Sequence, residues 1–154
     1  MGKNKYLRKI IFVINGVILF YLIIYVDVVL RARSAYIEGE KYLDFYYNPQ
    51  KKEEFFNKKF EKEKDTLEKM LKKNKIAKEE YQTKLELLKF KIEFQKKESS
   101  VKYAYIWYKT VLDLFSKPTS KWSELAKQKV EVAKQLWMKE LTSKGYKVED
   151  YMIE

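Results

Sequence analysis

One uninterrupted apolar run near the N-terminus constrains this chain more than any other feature. Seventeen consecutive uncharged residues, Ile10 to Val26, are followed by Asp27 and by three aliphatic residues ending at Leu30. At roughly 1.5 Å per residue, a helix over residues 10–30 is about 31 Å long, close to the thickness of a bilayer's hydrocarbon core. No later segment is comparably apolar. The sequence therefore predicts one transmembrane helix at residues 10–30 and a water-exposed remainder.

The alternative to a permanent anchor is a cleavable signal peptide, because basic residues precede the run. Signal peptides have an apolar segment of about 7 to 15 residues that ends at small residues. This run is longer and is closed by Arg31 and Arg33, although Ala32 and Ser34 offer a weak cleavage site. No cysteine is present to carry a lipid. We therefore expect a retained signal anchor, preceded by a short basic tail at residues 1–9.

The basic residues that flank the span predict its orientation. Four basic residues occur among the first nine, and three occur in the fifteen residues after Leu30. Because cytoplasmic flanks carry the excess of Lys and Arg, we expect a cytoplasmic N-terminus and a large extracytoplasmic domain. This pattern is typical of a single-pass protein of the cell inner membrane. The absence of cysteine excludes disulfides and leaves the redox compartment open.

The remainder of the chain has the composition of an all-α domain. The whole sequence has four glycines and two prolines, and Lys, Glu, Leu and aromatic residues dominate elsewhere. Apolar residues recur at helical spacing, which predicts two helical hairpins that are TPR-like or coiled-coil-like. The expected segments are a juxtamembrane helix at 31–48, an amphipathic hairpin at 49–98, an aromatic-rich hairpin at 99–145 and a tail at 146–154.

Two matching apolar stripes predict the first hairpin. Asn48 and Pro49 suit the N-cap and the first helical position. The stripes consist of Phe56, Phe60, Leu67, Met70 and Leu71, and then of Tyr81, Leu85, Leu88 and Ile92, with Leu87 and Phe94 beside the second stripe. Asn74 lies between the stripes and tolerates the left-handed conformation that ends a helix. One long helix through Asn74 is the alternative, since neither glycine nor proline interrupts it.

The second hairpin is predicted from its caps and its tryptophans. Ser99 or Ser100 suits the start of a third helix, and Thr119 or Ser120 suits the start of a fourth helix that ends near Gly145. Apolar residues line one side of each helix. We expect the three tryptophans to anchor this hairpin as core residues rather than to bind a cofactor. They are Trp107, Trp122 and Trp137.

A few small and aromatic residues resemble the tetratricopeptide class of helical repeats. The spacing of Ala126, Val130 and Ala133 is similar to the small, bulky and small positions of that family's second helix, and Gly39 with Tyr42 is similar to positions in its first helix. The resemblance covers roughly a quarter of the chain. It implies stacked helical hairpins and binding to other proteins.

Polar residues inside the span and aromatic residues beyond it are the candidate contact residues. Asn15, Gly16 and Asp27 are candidates for contact with another transmembrane helix. Asp27 either pairs with Arg31 or meets a basic group of a neighbouring subunit. Aromatic residues beyond the span are candidates for the core or for protein contacts. They are Tyr36, Tyr42, Tyr46 and Tyr47, together with the three tryptophans.

The residue types that are missing exclude most catalytic chemistry. Without histidine or cysteine, the chain has no thiol nucleophile, no imidazole base and none of the usual zinc ligands. Its acidic residues lack the spacing of a calcium loop, and no phosphate-binding loop is present. We therefore expect a protein that is not an enzyme. It is predicted to have no catalytic, cofactor-binding or metal-binding residue and no small-molecule substrate.

The charges of the water-exposed part are interleaved. From residue 34 onward there are 27 basic and 21 acidic residues. Opposite charges recur four residues apart, which is typical of solvated helix faces. Examples are Glu54–Lys58, Glu68–Lys72, Glu80–Lys84 and Glu93–Lys97. With no base-reading module, we expect no nucleic-acid partner; the basic surplus favours membrane lipid or an acidic protein.

Two functional hypotheses follow from the anchor, the helical stripes and the missing chemistry. The first is a non-catalytic scaffold or adaptor whose extracytoplasmic helices bind other proteins, or further copies of the chain, in an envelope-associated assembly. The alternative is an accessory subunit of a membrane-embedded enzyme or transporter, held by its transmembrane helix. Phage spanins and divisome coiled-coil proteins are structural variants of the first hypothesis.

Overall fold

The computed structural model describes residues 3–147, with side chains from Arg8 onward, and confirms the predicted all-α class. Residues 1–2 of the predicted basic tail and 148–154 of the predicted C-terminal tail lie outside the described residues. The described part consists of five helices. They are α1 (Lys3–Tyr47), α2 (Pro49–Lys72), α3 (Lys78–Lys97), α4 (Ser100–Phe115) and α5 (Lys121–Ser143).

Helix α1 is one unbroken helix of 45 residues that joins the apolar run to the folded core. Its apolar window has a mean hydropathy of 2.4, and none of that window is buried inside the protein. Side chains from Arg8 to Asp27 are exposed, whereas Ala32 and Ala35 are buried. The described chain thus contains one helix that is long and apolar enough to cross a membrane. Its last four turns belong to the core.

The main core is a three-helix bundle of the C-terminal part of α1 with α4 and α5. Tyr42 stacks on Tyr103 and Tyr36 packs on Tyr108, so α4 runs antiparallel to α1. Most of the buried residues are alanines or tyrosines, and the alanines allow the helices to approach closely. They are Ala32, Ala35, Tyr36, Leu43, Ala104, Tyr105, Tyr108, Val111, Ala126 and Ala133. The predicted juxtamembrane helix at residues 31–48 is thus continuous with the apolar run and contributes one of the three helices of this bundle.

A polar cluster inside the bundle links its three helices. The hydroxyl of the fully buried Tyr108 in α4 donates a hydrogen bond of 2.5 Å to Glu40 Oε1 in α1. Lys129 Nζ in α5 lies 3.7 Å from the same oxygen. Burial, and then the nearby Glu40 carboxylate, raise the pKa of Tyr36 to about 12, and the same two causes raise the pKa of Tyr108. Both phenols therefore stay protonated at pH values at which an exposed tyrosine would ionise.

Helices α2 and α3 form the predicted first hairpin around a smaller core of Phe56, Leu88 and Ile92. Asn74 has a φ of 52°, and its N–H donates to the carbonyl of Leu71. The N–H of Lys75 donates to the carbonyl of Met70, which completes a Schellman motif. The single long helix is therefore wrong, because the left-handed Asn74 ends α2 and turns the chain back.

The helix caps follow the sequence prediction with one exception. Ser99 Oγ accepts a hydrogen bond from the N–H of Lys102, and Ser120 forms a reciprocal capping box with Ser123. Asn48 occupies the N-cap position of α2, but its side chain makes no capping hydrogen bond. Its amide instead donates to the Asp44 carboxylate of the preceding helix, 2.6 Å away. Asn48 thus closes α1 rather than capping α2.

Candidate interaction surfaces

At the end of the bundle farther from the apolar run, the polar groups form hydrogen bonds and ion pairs with one another. An open cleft of about 510 Å³ lies where α1, α3, α4 and α5 meet the start of α2. There Lys52 Nζ donates to the carbonyl oxygen of Glu98, and burial lowers the pKa of Lys52. Glu140 accepts hydrogen bonds from Ser99 Oγ and Lys144 Nζ. The described residues contain no group of three or more acidic side chains that could hold a metal ion.

The three candidate transmembrane contacts lie on the exposed part of α1. Asn15 and Gly16 are exposed, and a Cβ atom added at Gly16 would meet nothing within 4 Å. The carboxylate of Asp27 accepts a hydrogen bond of 2.8 Å from Arg31 Nε, as the pairing hypothesis predicts. Asp27 therefore has a counter-charge within its own chain. The small surface at Gly16 is open to another helix.

The candidate aromatic residues divide into core and surface groups. Tyr36 is buried, and Tyr42 is half-buried; the ring centroids of Tyr36 and Trp122 lie 5.6 Å apart. Trp107, Trp122 and Trp137 are partly buried against the bundle core, as expected for anchors of the second hairpin. Tyr46 is half-buried beside the exposed Tyr47. Most of these aromatic side chains stabilise the bundle and do not form one continuous contact surface.

The loop between α4 and α5 lies beside the apolar run of α1. Pro118 lines an open hollow of about 470 Å³ together with apolar α1 residues between Ile18 and Tyr25. Trp122, at the start of α5, is flanked by two cations, with the Arg33 guanidinium 5.7 Å and Lys121 Nζ 5.9 Å from its ring centroid. Leu114 and Pro118 are exposed. This end of the bundle thus combines apolar side chains, an indole and basic groups, as proteins do at a membrane surface.

Three large apolar side chains on α3 are also exposed. Leu87, Phe90 and Phe94 are 65%, 69% and 55% exposed. At about 100° per residue they lie on one face, opposite to Leu88 and Ile92, which pack against α2. We call Leu87, Phe90 and Phe94 the α3 outer face. The structure therefore has an uncovered apolar row where a solvated helix surface was expected.

The sequence interpretation did not identify the α3 outer face because α3 has two opposite apolar faces. Leu87 and Phe94 were expected to lie beside the buried stripe, and Phe90 had no assigned role. Two apolar rows on opposite sides of one helix cancel the one-sided periodicity by which amphipathic helices are recognised. Plotting Leu87, Phe90 and Phe94 at a spacing of three and four would have separated them from the buried row.

Comparison with protein-family models, with curated proteins and with solved structures finds no match to this chain. The resemblance of Gly39, Tyr42, Ala126, Val130 and Ala133 to tetratricopeptide repeats therefore has no support from a family model. The structure gives two of these positions another explanation. Gly39 and Ala126 are buried where α1, α4 and α5 pack together. The functional interpretation therefore depends on the chain's own surfaces.

Proposed function

We propose that this chain is a membrane-anchored, non-catalytic scaffold or adaptor whose helical domain binds other proteins in an envelope-associated assembly. The observation that carries the proposal is the α3 outer face. Leu87, Phe90 and Phe94 are large apolar side chains that nothing in the described chain covers. Contiguous apolar surface of this kind is a feature of protein-binding sites on water-exposed domains.

The exposed apolar part of α1 supports the anchor. Side chains from Ile10 to Val26 are all exposed, so water would have to solvate about five turns of aliphatic and aromatic side chains in the absence of lipid. A core helix would bury these side chains. Cleavage at Ala32 would cut α1 where that residue is fully buried in the bundle. A retained anchor is therefore favoured over a signal peptide.

The proposed location is the cell inner membrane, with the N-terminus in the cytoplasm and the helical domain outside. Its support is the four basic residues before the span in the sequence. Because the chain has no cysteine, the substitution Lys127→Cys at an exposed position of α5 gives a single labelling site. A membrane-impermeant maleimide added to intact spheroplasts should label this site. Labelling only after lysis would reverse the orientation.

The Asp27–Arg31 pair favours the scaffold over an accessory subunit that is held through the span. An unpaired intramembrane carboxylate would require a basic group from a neighbour, and Asp27 already has one at 2.8 Å. Gly16 remains the feature that favours the alternative, since its exposed face lets another helix approach closely. The two functions differ in which surface holds the partners.

The test compares proteins that co-purify with the full chain from native membranes in a mild detergent. One variant carries Leu87→Lys and Phe90→Lys, and the matched control carries Val132→Lys at an exposed position of α5. Loss of partners from the α3 variant alone supports the scaffold. If Asn15→Leu, Gly16→Leu and Asp27→Leu together remove the partners while the α3 variant retains them, the accessory-subunit function replaces it. An unchanged set in every variant contradicts both.

A further inference from the structure

Charged residues flank the α3 outer face in a regular order. With Leu87 and Phe94 placed at heptad position a, Thr83 and Phe90 occupy position d. The neighbouring g positions are then Glu79, Glu86 and Glu93, and the e positions within the helix are Lys84 and Lys91. All of these charged side chains are exposed. One flank of the apolar row is therefore acidic and the other is basic.

Most of these flanking charges have no ion-pair partner among the side chains that the structure describes. Lys84 pairs with Glu80 at 2.7 Å, whereas Glu79, Glu86, Lys91 and Glu93 make no ion pair within residues 8–147. On the opposite side of α3, Lys96 Nζ lies 2.6 Å from Asn57 Oδ1 of α2. Glu79, Glu86, Lys91 and Glu93 are thus available to an external partner beside the uncovered apolar row.

We infer that the α3 outer face binds the same face of a second copy of this chain, with the two α3 helices parallel and in register. In a parallel pair, each g residue faces the e residue five positions later in the other helix. Glu79 then meets Lys84 of the second copy, and Glu86 meets Lys91. A two-fold axis repeats both contacts, which gives four complementary pairs around Leu87, Phe90 and Phe94.

The same charges disfavour an antiparallel pair. Antiparallel helices bring g residues opposite g residues and e residues opposite e residues, so glutamates would meet glutamates and lysines would meet lysines. Like charges placed in this way repel each other and oppose the alternative arrangement. The order of charges along α3 therefore selects the direction of the partner helix. The apolar row supplies most of the attraction, because exposed ion pairs contribute about 0 to 1 kcal/mol each.

The contact between the two α3 helices, which we call the seam, is short. The pairing therefore also depends on the membrane anchor. From Thr83 to Phe94 it covers about 17 Å of helix, less than a stable two-stranded coiled coil needs by itself in dilute solution. Confinement of two copies in one membrane raises their effective concentration and removes part of the entropic cost of association. The inference thus rests on the proposed function, in which α1 is an anchor.

Engineered cysteines test the inference, because the chain has none of its own. In a parallel pair, Thr83 lies opposite Thr83 of the other copy and far from Phe94. The full-length Thr83→Cys variant, in native membranes with a mild oxidant, should therefore yield a disulfide-linked dimer. A mixture of Thr83→Cys chains and differently tagged Phe94→Cys chains should yield few links between the two tags. Links that form mainly between the two tags would overturn the parallel register.

Exchanging the charges beside the seam provides a second test, which leaves the α3 outer face unchanged. In the Thr83→Cys background, Lys91→Glu should lower the dimer yield at least severalfold, and adding Glu86→Lys should restore it. Lys89→Glu makes the same charge change on α3 outside the seam and should leave the yield unchanged. Equal yields in the Lys91→Glu and Lys89→Glu variants would overturn the inference, as would failure of Glu86→Lys to restore the dimer.

The outcomes also separate this inference from the proposed function. If Thr83→Cys gives no dimer but the Leu87→Lys, Phe90→Lys variant loses other co-purifying proteins, the scaffold remains and the second copy is wrong. If Thr83→Cys gives no dimer and the Leu87→Lys, Phe90→Lys variant keeps all of its co-purifying proteins, both the second copy and the scaffold are wrong. A specific Thr83–Thr83 dimer whose yield follows the charge exchange supports both.

Discussion

Gly39 is the residue at which the packing of α1 against α4 leaves the least space. A Cβ atom at this position would lie 2.6 Å from Cε1 of Tyr108, whose ring is fully buried and whose hydroxyl is bound to Glu40. Real Cβ atoms do not approach a ring so closely, so the ring or the helix has to move. Glycine is thus required here by the contact between two helices and not by its backbone conformation.

The first prediction is that Gly39→Leu lowers the free energy of unfolding of the bundle by about 2 kcal/mol or more, because overpacking a rigid interior forces strain on its neighbours. Tryptophan fluorescence during denaturant unfolding measures this change, since Trp107, Trp122 and Trp137 all lie in the bundle. Gly16→Leu is the control, because nothing lies within 4 Å of its Cβ position. Equal destabilisation by both substitutions would contradict the packing argument.

The second prediction concerns the buried phenol of Tyr36. Its pKa is about 12 in the folded chain, above the usual value of about 10, because of burial and the nearby Glu40 carboxylate. Its stabilising contribution is therefore complete below pH of about 10 and declines as the pH rises towards about 12, since the unfolded chain ionises first.

Denaturant unfolding of wild type and Tyr36→Phe at several pH values measures this effect. The stability of wild type relative to the variant should fall by about 2 kcal/mol between pH of about 10 and 12. Tyr146→Phe, at an exposed position outside the cluster, is the control. A constant difference between wild type and Tyr36→Phe over this range would show that the phenol is not protected from ionisation.

At the scale of elements, the loop between α4 and α5 extends the bundle alongside the anchor. Pro118 faces α1 residues that precede Leu30 by five to twelve positions, so the loop lies below the end of the predicted span. Its apolar contacts and the basic groups around Trp122 are suited to the headgroup and upper acyl region. In the proposed membrane arrangement, the bundle contacts the bilayer through this loop as well as through α1.

The third prediction is that a polarity-sensitive probe attached to Pro118→Cys reports an apolar environment in lipid bilayers. A probe on Lys127→Cys of α5 should report water. Probe emission in nanodiscs measures the difference, and lipids with brominated acyl chains should quench the first probe more strongly. Equal emission and quenching at the two positions would show that the loop does not enter the bilayer.

At the scale of the whole molecule, the three-helix bundle includes the C-terminal part of α1. Ala32, Ala35, Tyr36 and Leu43 of α1 are buried against α4 and α5. The fourth prediction is that a chain shortened to begin at Val28 unfolds cooperatively in water, whereas a chain that begins at Asn48 does not. Removing one helix from a three-helix bundle exposes the apolar sides of the other two.

Thermal unfolding followed by circular dichroism and tryptophan fluorescence distinguishes these two chains. The shorter chain should bind a hydrophobic dye and show a broad transition, as expected for helices without fixed packing. A sharp transition in the chain that begins at Asn48 would show that α2 to α5 form an independent domain.

The sequence predicted the parts of the fold that depend on neighbouring residues. Asn74 and Ser99 act within one helical turn, so their roles in ending and starting helices are readable from local patterns. The contact of Gly39 with Tyr108 joins residues 69 positions apart, and no local signal specifies it. The long apolar helix near the N-terminus was likewise predicted from its composition. The α3 outer face was missed because a second apolar row hides its periodicity.

Because α1 is unbroken, it fixes the rotation of the bundle about the axis of the apolar run as well as joining the two. No glycine, proline or turn separates Asp27 from Ala32, so no flexible hinge lies between the apolar run and the bundle. Inserting one residue there would turn the bundle by about 100° about the anchor and lift it by about 1.5 Å. In the proposed membrane arrangement, the direction in which the bundle faces is therefore set by the rotation of α1 about its own axis.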